Sequence, residues 1–262
     1  MNKKISILGC GWLGLPLAIY LITNGWLVKG STTSTDKLNL LLLNEIDPYL
    51  VQLQQILSTK ESNFWDSEVL LVNVPPGLRK RSGKEYLDEM RNLVEVVEAS
   101  PIKKVIFISS TSVYPELNKI IVDTDEVDEN SALYQSEMLF AQSTQFITTV
   151  IRFGGLIGPG REPARFFAGK KDIPNGQAPV NLIQLEDCIG IIQMVLDKQM
   201  WGEIYNAVSP VHPTKAEFYK NAAKKAGLVE PQFVNELNDW KVIDSRNLPY
   251  EWRSPLKGEQ EP

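Results

Sequence analysis

The chain has 262 residues, 43% of them hydrophobic and 23% charged, with a net charge of −5. At roughly 150 residues per domain that is one large domain or one and a half, with chain enough for a substantial core. Ordinary globular usage excludes a collagen, a coiled coil or a wholly disordered chain. No apolar run reaches the roughly 18 residues of a membrane span, and an acidic balance argues against a general nucleic-acid binder. Two cysteines, Cys10 and Cys188, make no disulfide framework, and the N-terminus lacks a secretory pattern, so the cytoplasm is the expected compartment.

Residues 3–8 (KKISIL) read as a short buried strand, followed by a glycine turn and a helical stretch, LPLAIYLITN, that Gly25 closes. Pro16 falls in or near the first helical turn, where a missing N–H costs little. WLVKG at 26–30 is a second strand, DKLNLLLLNE a second helix whose leucines read as core, and 49–53 a third short strand. VLLVNV is a strong strand stopped by Pro75 and Pro76. In 84–98, Leu87, Met90, Val94 and Val97 recur at helical spacing, and KKVIFISS is a β-rich strand. Strands alternating with helices over about 150 residues predict an α/β, doubly wound, mostly parallel sheet covered on both faces. Further on, TTVIRFGGL reads as a strand and 157–181 as a Gly- and Pro-rich loop. LEDCIGIIQMVLDK is an amphipathic helix, GEIYNAVS a strand, and TKAEFYKNAAKKAGL a helix begun by a Thr cap and ended by Gly227.

Gly9-Cys10-Gly11-Trp12-Leu13-Gly14 has the spacing G-x-G-x-x-G, after the first strand and before the first helix, where that spacing marks a dinucleotide site. Gly9 suits the tight turn, Gly11 the close approach of a pyrophosphate, and Gly14 close packing of helix on strand. The helix N-terminus supplies N–H groups for the phosphates. Cys10 reads as a small turn residue, with nothing basic near it in sequence to activate a thiol. Where an NAD site carries an acid, this chain runs Lys29-Gly30-Ser31-Thr32-Thr33-Ser34-Thr35, with no carboxylate before Asp36. A carboxylate would repel a 2′-phosphate, whereas the hydroxyls of Ser31, Thr32 and Thr33, with Lys29 or Lys37, would receive it. The expected cofactor is NADP, with NAD as the alternative.

Ile108-Ser109-Ser110-Thr111-Ser112-Val113-Tyr114-Pro115 closes the fifth strand, and Tyr134-Gln135-Ser136-Glu137-Met138 follows. Other segments belong with these: the glycine loop, the VNVPPG strand end, the acidic loop before Tyr134, IRFGGLIGPG, NLIQLEDCIGII and GEIYNAVSP. Together they resemble the extended short-chain dehydrogenase/reductase superfamily, in its nucleotide-sugar epimerase/dehydratase branch, over nearly the whole chain. The resemblance implies a Rossmann-type core of 1–156 plus 180–208 and a small substrate-binding cap of 157–179 plus 209–262. It implies cofactor contacts from residues 9–14 and 31–33 and from Val74, Pro75 and Pro76. By the family's spacing Ser110, with Thr111 the neighbouring candidate, orients the reacting oxygen, and Tyr134 is the general acid/base. The family's Y-x-x-x-K lysine lowers the Tyr pKa and binds the nicotinamide ribose. Met138 stands in its place, which marks an atypical subgroup. An unassisted phenol titrates near pKa 10 and is a poor base at neutral pH. Three readings stay open. Lys170, Arg161 or a water replaces the lysine; Tyr134 acts only as a proton donor in a reduction; or the chemistry is lost and the dinucleotide kept as a ligand.

Arg79, Arg81 and Lys84 follow the fourth strand, and Arg161 and Arg165 follow Gly158-Pro159-Gly160 after the sixth. Ligands of open parallel sheets lie beyond the carboxyl ends of strands, and the guanidinium fork suits phosphate. Arg79, Arg81, Arg161 and Arg165 are therefore expected to hold a small anionic substrate, a sugar nucleotide or another phosphorylated metabolite. Arg152, inside a strand, reads as a structural pair. His212, the single histidine, reads as a loop residue, and no spacing suggests a metal site. The function expected is hydride transfer by an NAD(P)-dependent oxidoreductase or epimerase, the alternative a catalytically impaired sensor or scaffold. Neither nucleic acid nor a membrane is an expected partner, and the family analogy admits a homodimer.

Overall fold

The computed structural model describes residues 3–77, 81–254 and 256; Arg79 lies outside the described residues. Strand β1 (Lys4–Leu8) leads through the glycine turn into α1 (Gly14–Thr23) and back to β2 (Leu27–Thr32). Pro16 sits in the first turn of α1, and Gly25 follows its C-cap at φ 79°, the left-handed conformation that ends helices. In α2 (Leu38–Leu43) the leucine run is not core: Leu41 is buried, while Leu40, Leu42 and Leu43 are exposed. So short a helix turns little more than one side chain toward the sheet. Then follow β3 (Asp47–Leu50), β4 (Val69–Val72), α3 (Gly83–Glu98) and β5 (Lys104–Ser110). β6 (Lys119–Ile121), α4 (Ala132–Ala141), β7 (Ile147–Phe153), β8 (Gly155–Ile157) and α5 (Ala164–Phe167) come next. The chain continues through β9 (Leu182–Gln184), α6 (Leu185–Lys198), β10 (Ile204–Ala207), α7 (Lys215–Lys225) and β11 (Lys241–Ile243).

The central sheet has seven strands in the order β10-β7-β5-β4-β1-β2-β3. From β3 through β2, β1 and β4 to β5 every pair is parallel. The order reverses between β1 and β4, which makes this a doubly wound Rossmann-type sheet with its switch point there. Ile5, Ile7, Val69, Leu70, Leu71, Val105 and Ile106 are buried, as expected of strands covered on both faces. Two further pairs, β6 with β11 and β8 with β9, are also parallel.

The chain divides into two compact units. The first, Met1–Ser109, Asp128–Arg152 and Ile192–Ile204, carries β1 to β4, the glycine loop and α4. The second, Ser110–Val127, Phe153–Ile191 and Tyr205–Pro262, carries the two small strand pairs and an apolar cluster of Ile157, Val180, Leu182, Tyr219 and Leu256. No helix among the described residues is long and apolar enough to cross a membrane.

Candidate functional site

The glycine loop is built by close approach of backbones. Gly9 has φ 102°, and a Cβ there would stand 2.5 Å from Asn73 O, at the end of β4. A Cβ on Gly14 would collide with Gly9 O. The turn is tied down by Asn73 Nδ2 donating to Gly9 O at 3.0 Å, Gly9 N donating to Ser31 Oγ at 2.9 Å and Cys10 N donating to Ser31 O at 2.8 Å. Gly11 differs: a Cβ there would meet nothing within 4 Å. It faces a cavity of about 330 Å³ at the carboxyl ends of β1, β2, β3 and β4.

The cavity is lined by Leu8, Gly9, Cys10 and Gly11 at and after the end of β1, by Ser31, Thr32, Thr33 and Lys37 at and after the end of β2, by Val51, Leu53 and Gln54 after β3, and by Asn73, Val74, Pro75 and Arg81 after β4. Among the sequence candidates, Trp12, Leu13, Gly14 and Pro76 are not wall residues; Leu13 is buried in the core and contributes to the loop by its backbone. Burial pushes the Cys10 thiol up to about 12, which makes it inert at neutral pH. Lys29 does not face the cavity. Its ammonium donates to Asn63 O and to Asp66 O and lies 3.6 Å from the Asp66 carboxylate, so only Lys37 remains beside the hydroxyls. Arg81 lines the cavity, but its guanidinium holds the loop: Nε donates to Pro76 O at 2.6 Å, Nη2 to Pro75 O at 3.1 Å, and Nη1 pairs with Glu89.

Tyr134 lies in the first turn of α4, half-buried, and its hydroxyl has no hydrogen-bond partner among the described residues. Met138, one turn on, is half-buried and offers no charge. Between them Glu137 is buried in an ion pair with Arg152 at 2.6 Å and accepts a hydrogen bond from Ser109. Arg152 is thus the structural pair that its place in a strand suggests. Glu137 and Ser109 carry no sequence signal that would single them out. Ser110 ends β5, half-buried, its Oγ accepting from Ser112 N at 3.1 Å, and Thr111 is buried.

In the second unit Arg161 and Arg165 are exposed on the segment after β8, with the Arg161 backbone bridged to Gly158. The Lys170 ammonium lies 5.3 Å from the centre of the Phe167 ring. His212 is a loop residue whose Nδ1 donates to Val180 O at 3.0 Å. Among the described residues no group of His, Cys, Asp and Glu could hold a metal ion.

No protein-family model matches the chain. It is similar to two epimerases of known structure. One is a UDP-glucuronic acid 4-epimerase from Bacillus cereus, solved with UDP-glucuronic acid and NAD: 18% identity, a TM-score of 0.79, and 97% of this chain and 95% of that one covered. The other is a UDP-glucose 4-epimerase from Thermotoga maritima, solved with UDP-glucose: 19% identity, a TM-score of 0.75, and 93% and 90% covered. Protein YeeZ of Escherichia coli K12 is 35% identical over 269 residues, which span 97% of this chain and 98% of YeeZ. With that identity over nearly the full length of both, the chain belongs to the YeeZ family, and its fold is that of the extended short-chain dehydrogenases/reductases.

Proposed function

We propose that the protein is an NAD(P)-dependent oxidoreductase of the epimerase/dehydratase type, acting by hydride transfer on an anionic, sugar-nucleotide-like substrate. The observation that carries this is the open side of the glycine loop: Gly11 faces a cavity at the switch point, where a side chain would meet nothing. The epimerase of the same fold with bound NAD and UDP-glucuronic acid supports it.

A bound nicotinamide would supply the hydride donor or acceptor. The Gly11 backbone and the N-terminus of α1 bind the pyrophosphate. Val51, Leu53, Val74 and Pro75, all in the cavity lining, offer apolar surface for a base, and Thr33 with Lys37 takes a 2′-phosphate, which favours NADP. Ser110 orients the substrate oxygen and Tyr134 holds the proton that this oxygen receives. Met138 brings no cation to the phenol, and the role proposed for Tyr134 is to donate its proton to the substrate oxygen in the step in which the carbonyl carbon takes the hydride. Arg161 and Arg165, both exposed in the second unit, are the residues assigned to the substrate's negative charge.

Met138 also favours a second reading, a dinucleotide-binding sensor or scaffold with impaired catalysis. Titration with NAD, NADH, NADP and NADPH tests the first step. NADPH is expected to bind about tenfold tighter than NADH, the worth of one charge-assisted contact. Binding of none of the four would sink the proposal. Turnover of UDP-glucose and UDP-glucuronic acid with NADP or NAD, which can take a hydride from these alcohols, then separates the readings: tight dinucleotide binding without turnover, and a Tyr134→Phe variant that keeps its cellular role, speak for the sensor.

A further inference from the structure

Glu137 on α4 and Arg152 on β7 are each 1% exposed, and Ser109 on β5 is 6% exposed. Arg152 Nη2 donates to Glu137 Oε2 at 2.6 Å, and its Nε reaches Oε1 at 3.1 Å and Oε2 at 3.2 Å. The Ser109 hydroxyl donates to Oε1. One carboxylate therefore joins a helix to two strands of the sheet.

Stability is a weak reason for this arrangement. Removing both charges from water costs about as much as their attraction returns, and apolar replacements of a buried pair are often neutral or stabilising. What a bidentate pair does give is direction. An α-helix turns roughly 100° per residue, so with Tyr134 taken as zero, Met138 lies about 40° round on one side and Glu137 about 60° on the other. Pinning Glu137 to Arg152 and Ser109 fixes the rotation of α4 about its axis. That rotation decides where the face carrying Tyr134 and Met138 points. Leu133 and Phe140 pack α4 through apolar contact; methionine offers no polar anchor on the Tyr134 face, so the directional, hydrogen-bonded restraint comes from Glu137.

We infer that Glu137, held by Arg152 and Ser109, is a positioning residue that orients Tyr134 for proton transfer. The inference rests on the role proposed above for Tyr134. Its test uses the full chain with fluorotyrosine at its 8 tyrosines, the Tyr134 resonance being the one lost in Tyr134→Phe, and NADPH as the probe. In the wild type, NADPH shifts that resonance. In the Glu137→Met/Arg152→Met double variant the pair becomes apolar, and in Ser109→Ala one hydrogen bond and no charge is lost. Both are expected to bind NADPH within about twofold of the wild type, because the glycine loop is untouched, while the shift at Tyr134 falls to less than half. Should the double variant fail to fold, Ser109→Ala is read alone by the same criterion. An undiminished shift with NADPH bound overturns the inference and leaves the proposed function standing. A wild-type Tyr134 resonance indifferent to bound NADPH, or a wild type that binds none of the four nicotinamide dinucleotides, overturns the proposed function and the inference with it.

Discussion

The three glycines of the loop do different work, and substitutions separate it. Gly9→Ala brings both a φ of 102° and a Cβ 2.5 Å from Asn73 O, so the turn itself must move. Gly11→Ala meets open space and changes only what the cavity admits. The expected outcome is a Gly9→Ala protein with a clearly lowered unfolding midpoint, and a Gly11→Ala protein with an unchanged midpoint but NADPH affinity weakened about tenfold or more. Thermal unfolding and a fluorescence titration on the same two proteins check both halves; equal NADPH affinity in Gly11→Ala and wild type would contradict the pyrophosphate assignment. This loop is legible in the sequence because glycine spacing encodes backbone geometry directly. Lys29 is not legible in the same way: its neighbours in sequence are the hydroxyls of the loop, but strand alternation sends its side chain to Asn63 and Asp66, more than thirty residues away.

Long elements with one apolar face are readable and short ones are not. Residues 185–198 form α6, as their amphipathic pattern predicts, and Thr214 caps α7 by accepting from Glu217 N at 3.1 Å. The strands β6, β8, β9 and β11 have three residues each, too few for any periodicity. They exist because distant segments pair. Asn181 helps by reading β11 like a neighbouring strand, its Nδ2 donating to Lys241 O and its Oδ1 accepting from Ile243 N, both at 2.8 Å. α3 begins one residue earlier than periodicity suggests, because a capping box starts it: Ser82 Oγ accepts from Glu85 N at 3.2 Å, and Glu85 Oε2 accepts from Ser82 N at 2.7 Å. Ser82→Ala orphans an N–H of the first turn and is expected to cost about 1 kcal/mol. Urea unfolding measures it; a loss indistinguishable from zero would mean that the cap adds nothing to packing of the buried face.

For the molecule as a whole, pH and ligand are the two levers. Desolvation holds the His212 pKa below its ordinary value, against the raising effects of its hydrogen bond to Val180 O and of nearby Asp244. The unfolded chain therefore binds the extra proton more readily, so this group's contribution is complete above about pH 6.5 and is lost as pH falls through the folded pKa. His212→Gln is expected to lose less stability than the wild type between about pH 7.5 and pH 5; parallel urea curves for the two proteins at both pH values would refute this. The α/β class follows from the alternation of strands and helices, but the cavity does not, since its walls come from the ends of four strands brought together by the sheet order. That geometry sets the last expectation. A ligand that binds the folded chain alone, at about 100 times its Kd, adds about 2.7 kcal/mol, and for a chain of this size each kcal/mol raises the midpoint by roughly 2–4 °C. NADP and NADPH should therefore raise the unfolding midpoint by roughly 5–10 °C under those conditions. At the same concentrations NAD and NADH should raise it less, because neither carries the phosphate that Thr33 and Lys37 would meet. Equal shifts from all four would remove the argument from the hydroxyl-rich end of β2, and no shift from any would leave the cavity without its dinucleotide.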